Sequence, residues 1–174
     1  NGEPEYPDAR KPVWESRERN GIHFTDSLVF LPDTTVIKHQ WGLVNVSVCN
    51  IRLKPSYSAE LTSQALMGTP VRLLKWNNGW LMVQTPDRYI GWVDSDAVAD
   101  MTFDDYLEWK SSDRIFYKVK TGDIFGDSEK KKVISDVVAG CILRTSGISG
   151  KDYDVILPDG RTGFIPAANA MNLD

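Results

Sequence analysis

The sequence repeats itself after 72 residues, and this repeat limits the chain to folds built from two similar units. Residues 61–93 align without a gap on residues 133–165. The matching pairs are Gly68 and Gly140, Pro86 and Pro158, Asp87 and Asp159, Gly91 and Gly163, and Val93 and Ile165. Before residue 61 the register slips by about one, so that Ile51 falls on Ile124. Because turn and core positions both align, we expect two units with the same fold.

Each unit has the pattern of short β-strands separated by turns. In the first unit, Val44, Val46 and Val48 alternate with polar residues, which predicts one half-buried strand. Asn77-Asn78-Gly79 predicts a tight turn before a strand at 80–84. Further strands are predicted at 71–74 and 89–93, with a loop at 53–58. Short strands at this spacing predict a small β-barrel.

The pattern changes between the two units, over residues 99–112. Thr102 followed three residues later by Asp105 is typical of a helix N-terminus and predicts a short helix over about 103–110. The predicted fold class is therefore mainly β, with two small barrels in tandem, a short joining helix and an irregular N-terminal arm. The predicted parts are an N-terminal extension (1–40), a first barrel (41–98), a helical linker (99–112) and a second barrel (113–174).

Composition argues against several classes of function. The net charge of −4 argues against nucleic acid as the main partner, and no apolar run approaches the ~18 residues of a membrane helix. Two cysteines cannot form a disulfide framework, and two histidines leave little material for a metal site. We therefore expect no metal and no cofactor. The chain begins at Asn1 without Met or an apolar leader, which is typical of a trimmed chain and leaves export open.

Catalysis by the chain itself has few candidate residues. Cys49 lies in a predicted strand and Cys141 begins another, so both are expected to be small core residues. His23 and His39 lie in the extension and are expected at a surface or an interface. Paired acids such as Asp94 and Asp96 are expected to be solvated charges. A site that gathers His39, Cys49 and an acid stays open as a weaker hypothesis.

Small barrels bind extended peptides in grooves lined by aromatic side chains. The aromatic candidates in the first unit are Tyr57, Trp76, Trp80, Tyr89 and Trp92. Trp80 and Trp92 lie within predicted strands and are expected in the core. Tyr89 and Trp76 lie beside turns, which makes them the better candidates for binding.

Several motifs of the first unit resemble the bacterial SH3-like domain. They are Val48-Cys49-Asn50-Ile51-Arg52, Gly68-Thr69-Pro70-Val71, Gly79-Trp80-Leu81-Met82-Val83 and Tyr89-Ile90-Gly91-Trp92-Val93. The second unit keeps Gly163-Phe164-Ile165 but has Lys120-Thr121-Gly122-Asp123 in place of the Asn-Ile-Arg feature. The resemblance implies an SH3-like barrel for each unit, with the second more diverged.

The tandem arrangement is similar to the paired SH3-like modules of NlpC-type cell-wall cysteine peptidases. The residues that carry this resemblance are 63–68, 84–87 and the linker 109–117. The resemblance implies a γ-D-glutamyl-L-diamino acid endopeptidase, which cuts peptidoglycan stem peptides in the bacterial cell envelope, either periplasmic or secreted. It also implies a papain-like catalytic domain in cis. The family's Asp-Cys-Ser-Gly segment is absent here, so this chain is expected to be a non-catalytic region or a free-standing relative.

The resemblance also implies a substrate site on the first barrel. In this family a Tyr and an acidic side chain of that barrel help to bind the free N-terminal amine of the stem peptide. Tyr89 matches the tyrosine of the family motif. Glu60, in the loop before Leu61, is predicted to be the acidic side chain. The predicted substrate-binding residues are thus Tyr89, Glu60 and Trp76. The alternative is a stand-alone SH3-like module that binds cell-wall peptide or a protein partner.

Overall fold

A computed structural model describes residues 31–173. These residues lie within one compact unit, Leu31–Asp174. Predictions for the N-terminal extension that concern residues 1–30, including His23, lie outside the described residues.

The first barrel is one antiparallel sheet of seven strands. The strands are β1 (Trp41–Val44), β2 (Val48–Arg52), β3 (Leu61–Leu66), β4 (Pro70–Asn77), β5 (Trp80–Gln84), β6 (Ile90–Asp94) and β7 (Val98–Met101). Their order across the sheet is β3-β2-β6-β5-β4-β1-β7. A buried apolar cluster that includes Ile51, Val71 and Val83 fills its interior.

The second barrel repeats this sheet. Its strands are β8 (Arg114–Tyr117), β9 (Thr121–Phe125), β10 (Val133–Val138), β11 (Ile142–Ser149), β12 (Asp152–Ile156), β13 (Thr162–Pro166) and β14 (Ala170–Leu173). Their order, β10-β9-β13-β12-β11-β8-β14, is that of the first sheet. The predicted fold class is confirmed, because two sheets of the same topology are consistent with two SH3-like domains in tandem.

The strand positions explain the repeat in the sequence. Strands β3 to β7 return 72 residues later as β10 to β14, whereas β1 and β2 return 73 residues later as β8 and β9. The one-residue slip arises in the loop after the second strand of each barrel. That loop spans residues 53–60 in the first barrel and the shorter range 126–132 in the second.

The predicted single strand over Val44–Val48 is wrong. Residues 45–47 separate β1 from β2, and the two strands have different neighbours. β1 pairs with β4 and β7, whereas β2 pairs with β3 and β6. The chain must therefore change direction between them. Alternation of apolar and polar residues cannot distinguish such a break from a continuous strand, because the pattern does not show which strands lie alongside.

Residues 34–36, ahead of the first barrel, form a turn. The Ile37 N–H donates to the Asp33 carbonyl at 2.9 Å, and the Thr35 N–H donates to the Asp33 carboxylate at 3.2 Å. Asp33 and Thr35 favour such local hydrogen bonds over an extended backbone. The turn places Ile37 in the core of the first barrel.

The linker helix is α1 (Phe103–Ser111), as the capping signature predicts. Thr102 Oγ1 accepts from the Asp105 N–H at 3.1 Å, and the Thr102 N–H donates to Asp105 Oδ2 at 3.1 Å. Trp109 packs in a buried cluster with Leu43 and Met101. The helix thus packs on the first barrel, whose last strand continues to Met101.

Direct contacts join the two barrels. The Ile142 N–H donates to the Met67 carbonyl at 3.0 Å, and the Met67 side chain lies in the core of the second barrel. Ser47 Oγ donates to Asp136 Oδ2 at 2.5 Å, and Asn45 Nδ2 donates to Asp159 Oδ2 at 3.1 Å. These contacts hold the second barrel against the β1–β2 and β3–β4 connections of the first.

Candidate functional site

Both cysteines are buried, as predicted, and neither is suited to act as a nucleophile. Cys49 is 2% exposed and Cys141 is fully buried, and both are free thiols. Burial, with a smaller contribution from the Asp94 charge, raises the pKa of the Cys49 thiol to about 12. Burial also raises the pKa of Cys141. Since the thiolate is the reactive form, both side chains are inert at neutral pH.

His39 has an acidic partner but no cysteine beside it. Its Nδ1 lies 2.8 Å from Asp100 Oδ2 at the surface of the first barrel. Cys49 lies instead among the apolar core residues of that barrel. A Cys–His site is therefore not assembled. Within residues 31–173, no group of three or more His, Cys, Asp or Glu residues is arranged to hold a metal ion.

Three side chains of the first barrel form an exposed aromatic and acidic cleft, which we call the loop cleft and define as Tyr57, Trp80 and Asp94. The Tyr57 ring meets the Trp80 ring edge to face, with centroids 4.9 Å apart. The Tyr57 hydroxyl donates to Asp94 Oδ2. The cavity beside them has a volume of about 170 Å³. It has the chemistry to take an extended peptide, since aromatic faces and a carboxylate lie side by side.

The loop that carries Tyr57 is held at both ends by hydrogen bonds. Arg52 Nη1 donates to the Ala59 carbonyl at 2.7 Å, and the Leu53 N–H donates to the Glu60 carbonyl at 3.0 Å. The hydrogen bond to Asp94, followed by the Asp94 charge, raises the pKa of Tyr57. Its phenol therefore stays protonated at neutral pH while 71% of the side chain is exposed.

Tyr89 is accessible, as the sequence suggested. Its side chain is 38% exposed, and it comes directly before β6. The Tyr89 carbonyl accepts hydrogen bonds from the Thr85 N–H at 2.9 Å and from Thr85 Oγ1 at 3.2 Å, which fixes the turn in front of the strand.

Glu60 and Trp76 are also exposed. Trp76 is 45% exposed near the end of β4, and Glu60 lies in the loop before β3. In the described part of the chain, no hydrogen bond or aromatic contact joins Tyr89, Glu60 and Trp76. The three predicted binding residues are therefore not linked to one another by contacts of these kinds.

The loop cleft contains two residues for which a different role is predicted from the sequence. Trp80 is 9% exposed, so its expected place in the core is confirmed, yet its ring also supports Tyr57. Asp94 was expected to be solvated, whereas it binds the Tyr57 hydroxyl. One signal was available: Trp80 and Asp94 lie opposite each other in the β5–β6 hairpin, so the predicted turn between them already places them together.

Comparison with known families matches part of the chain. Residues 51–98 match the family model described as the bacterial dipeptidyl-peptidase Sh3 domain. This range contains the loop cleft, Glu60, Trp76 and Tyr89. A comparison with curated proteins found no match.

Two solved structures share the fold. A crystal structure of an NlpC/P60 family protein from Bacillus cereus ATCC 10987 matches with a TM-score of 0.62 and 15% identity, over 76% of this chain and 56% of that one. A novel NlpC/P60 endopeptidase from Photobacterium damselae subsp. piscicida matches with a TM-score of 0.56 and 17% identity, over 82% of this chain.

This chain covers only part of each of those two proteins. It spans 56% of the length of the first and 35% of the length of the second. At these identities the likeness shows the fold alone. Among residues 31–173, no helix is long and apolar enough to cross a membrane.

Proposed function

We propose that this chain is a non-catalytic substrate-recognition and targeting region of a bacterial NlpC-type peptidoglycan stem-peptide hydrolase. The parent enzyme would cleave the bond between γ-D-Glu and the diamino acid. The match of residues 51–98 to a peptidase SH3 domain carries this proposal, because the same range contains the loop cleft and the exposed residues Glu60, Trp76 and Tyr89. The shared fold of two NlpC/P60 proteins supports it.

The proposed ligand group is the free N-terminal amine of the stem peptide. The Tyr89 phenol oxygen and the Glu60 carboxylate can both accept hydrogen bonds from an ammonium group, and the carboxylate also neutralises its charge. Both side chains are exposed, and Trp76 offers a further aromatic surface. Residues from a second domain would complete the site.

The proposed partner is a papain-like catalytic domain in cis, which would supply the Cys–His pair. The two thiols of this chain are buried and protonated, so the nucleophile must come from elsewhere. The fixed junction between the barrels suits a rigid platform for such a domain. The substrate implies a place in the bacterial cell envelope, either periplasmic or secreted.

A stand-alone binding module is the second candidate. The loop cleft favours it, because Tyr57, Trp80 and Asp94 form a peptide groove within one barrel and need no second domain. The reading frame downstream of Asp174 separates the two candidates. An in-frame Asp-Cys-Ser-Gly segment supports the peptidase, and a stop codon supports the module.

Calorimetric titration tests the amine site. The ligands are a synthetic L-Ala-γ-D-Glu-diaminopimelate tripeptide and its N-acetylated form. We expect the free amine to bind about tenfold more tightly than the acetylated form, and Tyr89→Phe and Glu60→Gln each to remove most of that preference. Glu129→Gln, an exposed acid in the corresponding loop of the second barrel, is the matched control and should bind like the wild type. Equal binding of both peptides would refute amine recognition.

An activity assay tests the non-catalytic assignment. Purified chain incubated with the free-amine tripeptide should release no L-Ala-γ-D-Glu. Release of that dipeptide by a variant in which Cys49 and Cys141 are both replaced by Ala would overturn the assignment.

A further inference from the structure

Each barrel has an equivalent turn before its sixth strand. The turn spans residues 85–89 in the first barrel and 157–161 in the second. The two turns share one hydrogen-bond pattern. The Thr85 N–H donates to the Tyr89 carbonyl at 2.9 Å and the Arg88 N–H donates to the Thr85 carbonyl at 2.8 Å. In the second barrel, the same two bonds have lengths of 2.8 Å and 2.9 Å. The backbone of the turn is thus conserved within the molecule.

The residue in the left-handed conformation differs between the two turns. Gly160 has a φ of 85° in the second barrel, and its counterpart in the first is Arg88, with a φ of 67°. This conformation suits glycine and is unfavourable for a residue with a β-carbon. Such backbone strain is found mainly where a side chain has a function. The first turn therefore has an arginine side chain at a position where glycine would cause less backbone strain.

No internal contact accounts for Arg88. Its side chain is exposed, and none of residues 31–173 accepts a hydrogen bond from its guanidinium or forms an ion pair with it. The second turn is different, because its side chains have structural partners. Asp159 binds Arg161 Nε at 2.7 Å and Asn45 Nδ2 at 3.1 Å, which ties that turn to the first barrel.

Arg88 lines a cleft between its turn and α1, which we call the arginine cleft. The cavity has a volume of about 250 Å³ and is lined among others by Trp41, Arg72, Gln84, Thr85, Arg88 and Tyr106. The Trp41 and Tyr106 rings stack with centroids 4.1 Å apart and form one wall.

The charges around this cleft favour an anion. Arg72 is held in place, with its guanidinium 5.1 Å from the Trp41 ring centroid and Nη2 donating to Gln40 at 3.3 Å. No acidic side chain is among the described residues that line the cleft. Asp87 lies in the same turn, where its carboxylate accepts from Thr85 Oγ1. The Arg88 guanidinium beside these aromatic faces suits a planar carboxylate, which arginine binds through two parallel hydrogen bonds.

We propose that the arginine cleft binds a carboxylate of the stem peptide, with Arg88 as the residue that selects for it. The identity of the ligand rests on the proposed function. In a γ-D-glutamyl linkage the side-chain carboxyl forms the peptide bond, so the α-carboxylate of D-Glu remains free. This carboxylate lies one residue from the N-terminal amine, and Arg88 and Tyr89 are neighbouring residues of one exposed turn.

Backbone-amide NMR titration of the full chain tests this proposal. The probes are the L-Ala-γ-D-Glu-diaminopimelate tripeptide, the same peptide with the D-Glu α-carboxylate amidated, the N-acetylated peptide, and inorganic phosphate. We expect the free peptide to shift the amides of Gln84, Arg88 and Tyr106, and amidation to weaken binding about tenfold. Arg88→Gln keeps the β-carbon and should bind both peptides equally weakly, whereas Arg88→Lys should retain part of the preference. Lys118→Gln, which removes one exposed charge from the second barrel, should leave the preference unchanged.

The outcomes separate this proposal from the proposed function. If amidation has no effect while N-acetylation still weakens binding, the carboxylate site is wrong and the amine site stands. If phosphate shifts the same amides at lower concentration than the peptide, the assignment to a peptide carboxylate is wrong. If no form of the peptide binds, both proposals fail.

Discussion

The two barrels share strand order and register, yet they use the same loop differently. In the first barrel, the loop after the second strand presents Tyr57, which packs on Trp80 and donates to Asp94. In the second barrel, Asp152 stands at the position of Trp80, and Lys130 of the loop lies 2.7 Å from its carboxylate. An exposed tyrosine packed on a buried tryptophan suits binding, whereas an ion pair closes the loop on the barrel. The second copy therefore has the same scaffold but lacks the aromatic contact of the first.

The junction between the barrels shows the same division. The side chains that the second barrel brings to it, Asp136 and Asp159, bind Ser47 and Asn45 of the first. These acids act as structural partners. The corresponding turn of the first barrel is exposed and carries Arg88 and Tyr89. Under the proposed function, one fold supplies a recognition unit and a supporting unit, and the predictions below test that division.

The largest expected effect concerns the close contact of the barrels at Gly68. A β-carbon at this position would lie 1.9 Å from the Ile142 carbonyl oxygen, and φ is 84°. We expect Gly68→Ala to lower the free energy of unfolding by about 4 kcal/mol, because backbone atoms cannot move aside cheaply. Gly79, with a φ of 80° and nothing within 4 Å, is the matched control.

Urea denaturation of both variants distinguishes the contact from the backbone strain. Gly79→Ala should lose only about 1 kcal/mol, since it meets the same unfavourable φ in open space. A similar loss for the two variants would show that the barrels are not held together at Gly68.

The second effect concerns the buried thiol of the first barrel at alkaline pH. The pKa of Cys49 rises from 9.0 to about 12 on folding, so the folded state favours the protonated form. The protonated Cys49 thiol contributes its full stabilisation to the folded state below pH 9. This stabilisation is lost as the pH rises toward 12. From pH 9.5 to 11 we expect Cys49 to account for a loss of about 2 kcal/mol.

The measurement compares the pH dependence of urea unfolding in the wild type and in Cys49→Ala. The variant is less stable at pH 8 because it leaves a small cavity, but its stability should fall less steeply above pH 9. Cys141→Ala in the second barrel should flatten the curve in the same direction, since burial raises that pKa too. Parallel curves for wild type and Cys49→Ala would contradict the expected titration.

A smaller effect is expected at the polar part of the junction. Ser47 is buried and its hydroxyl donates to Asp136 at 2.5 Å. We expect Ser47→Ala to cost about 1.5 kcal/mol, because it removes a hydrogen bond to a charged acceptor. In a double-mutant cycle with Asp136→Ala, the two losses should not add, whereas additive losses would mean that the bond contributes nothing.

The sequence predicted the scaffold well because its signals are local. Turn glycines, the Asn-Asn-Gly turn and the Thr102 capping box each depend on a few neighbouring residues, and the repeat adds independent support. The break between Val44 and Val48 could not be predicted, because it depends on which strands lie alongside. The loop cleft was missed for a similar reason: Tyr57 and Asp94 are 37 residues apart, and only the closed sheet brings them together. Where Tyr89 binds its ligand stays a prediction.

The smallest expected effect has opposite signs in the two barrels. Arg88 and Gly160 occupy the same left-handed turn position, with φ values of 67° and 85°. We expect Arg88→Gly to raise the free energy of unfolding by about 1 kcal/mol, because glycine relieves the backbone strain. Gly160→Ala should lower it by about the same amount.

Thermal unfolding and peptide titration of the same two variants then test whether the backbone strain at Arg88 is linked to peptide binding. Gly160→Ala should become less stable and bind the stem peptide like the wild type. Arg88→Gly should become more stable and lose the preference for the free carboxylate, since a gain in stability at the cost of binding is typical of a functional residue. If Arg88→Gly gains no stability, the turn is not strained, and the difference between the barrels at this position no longer points to function.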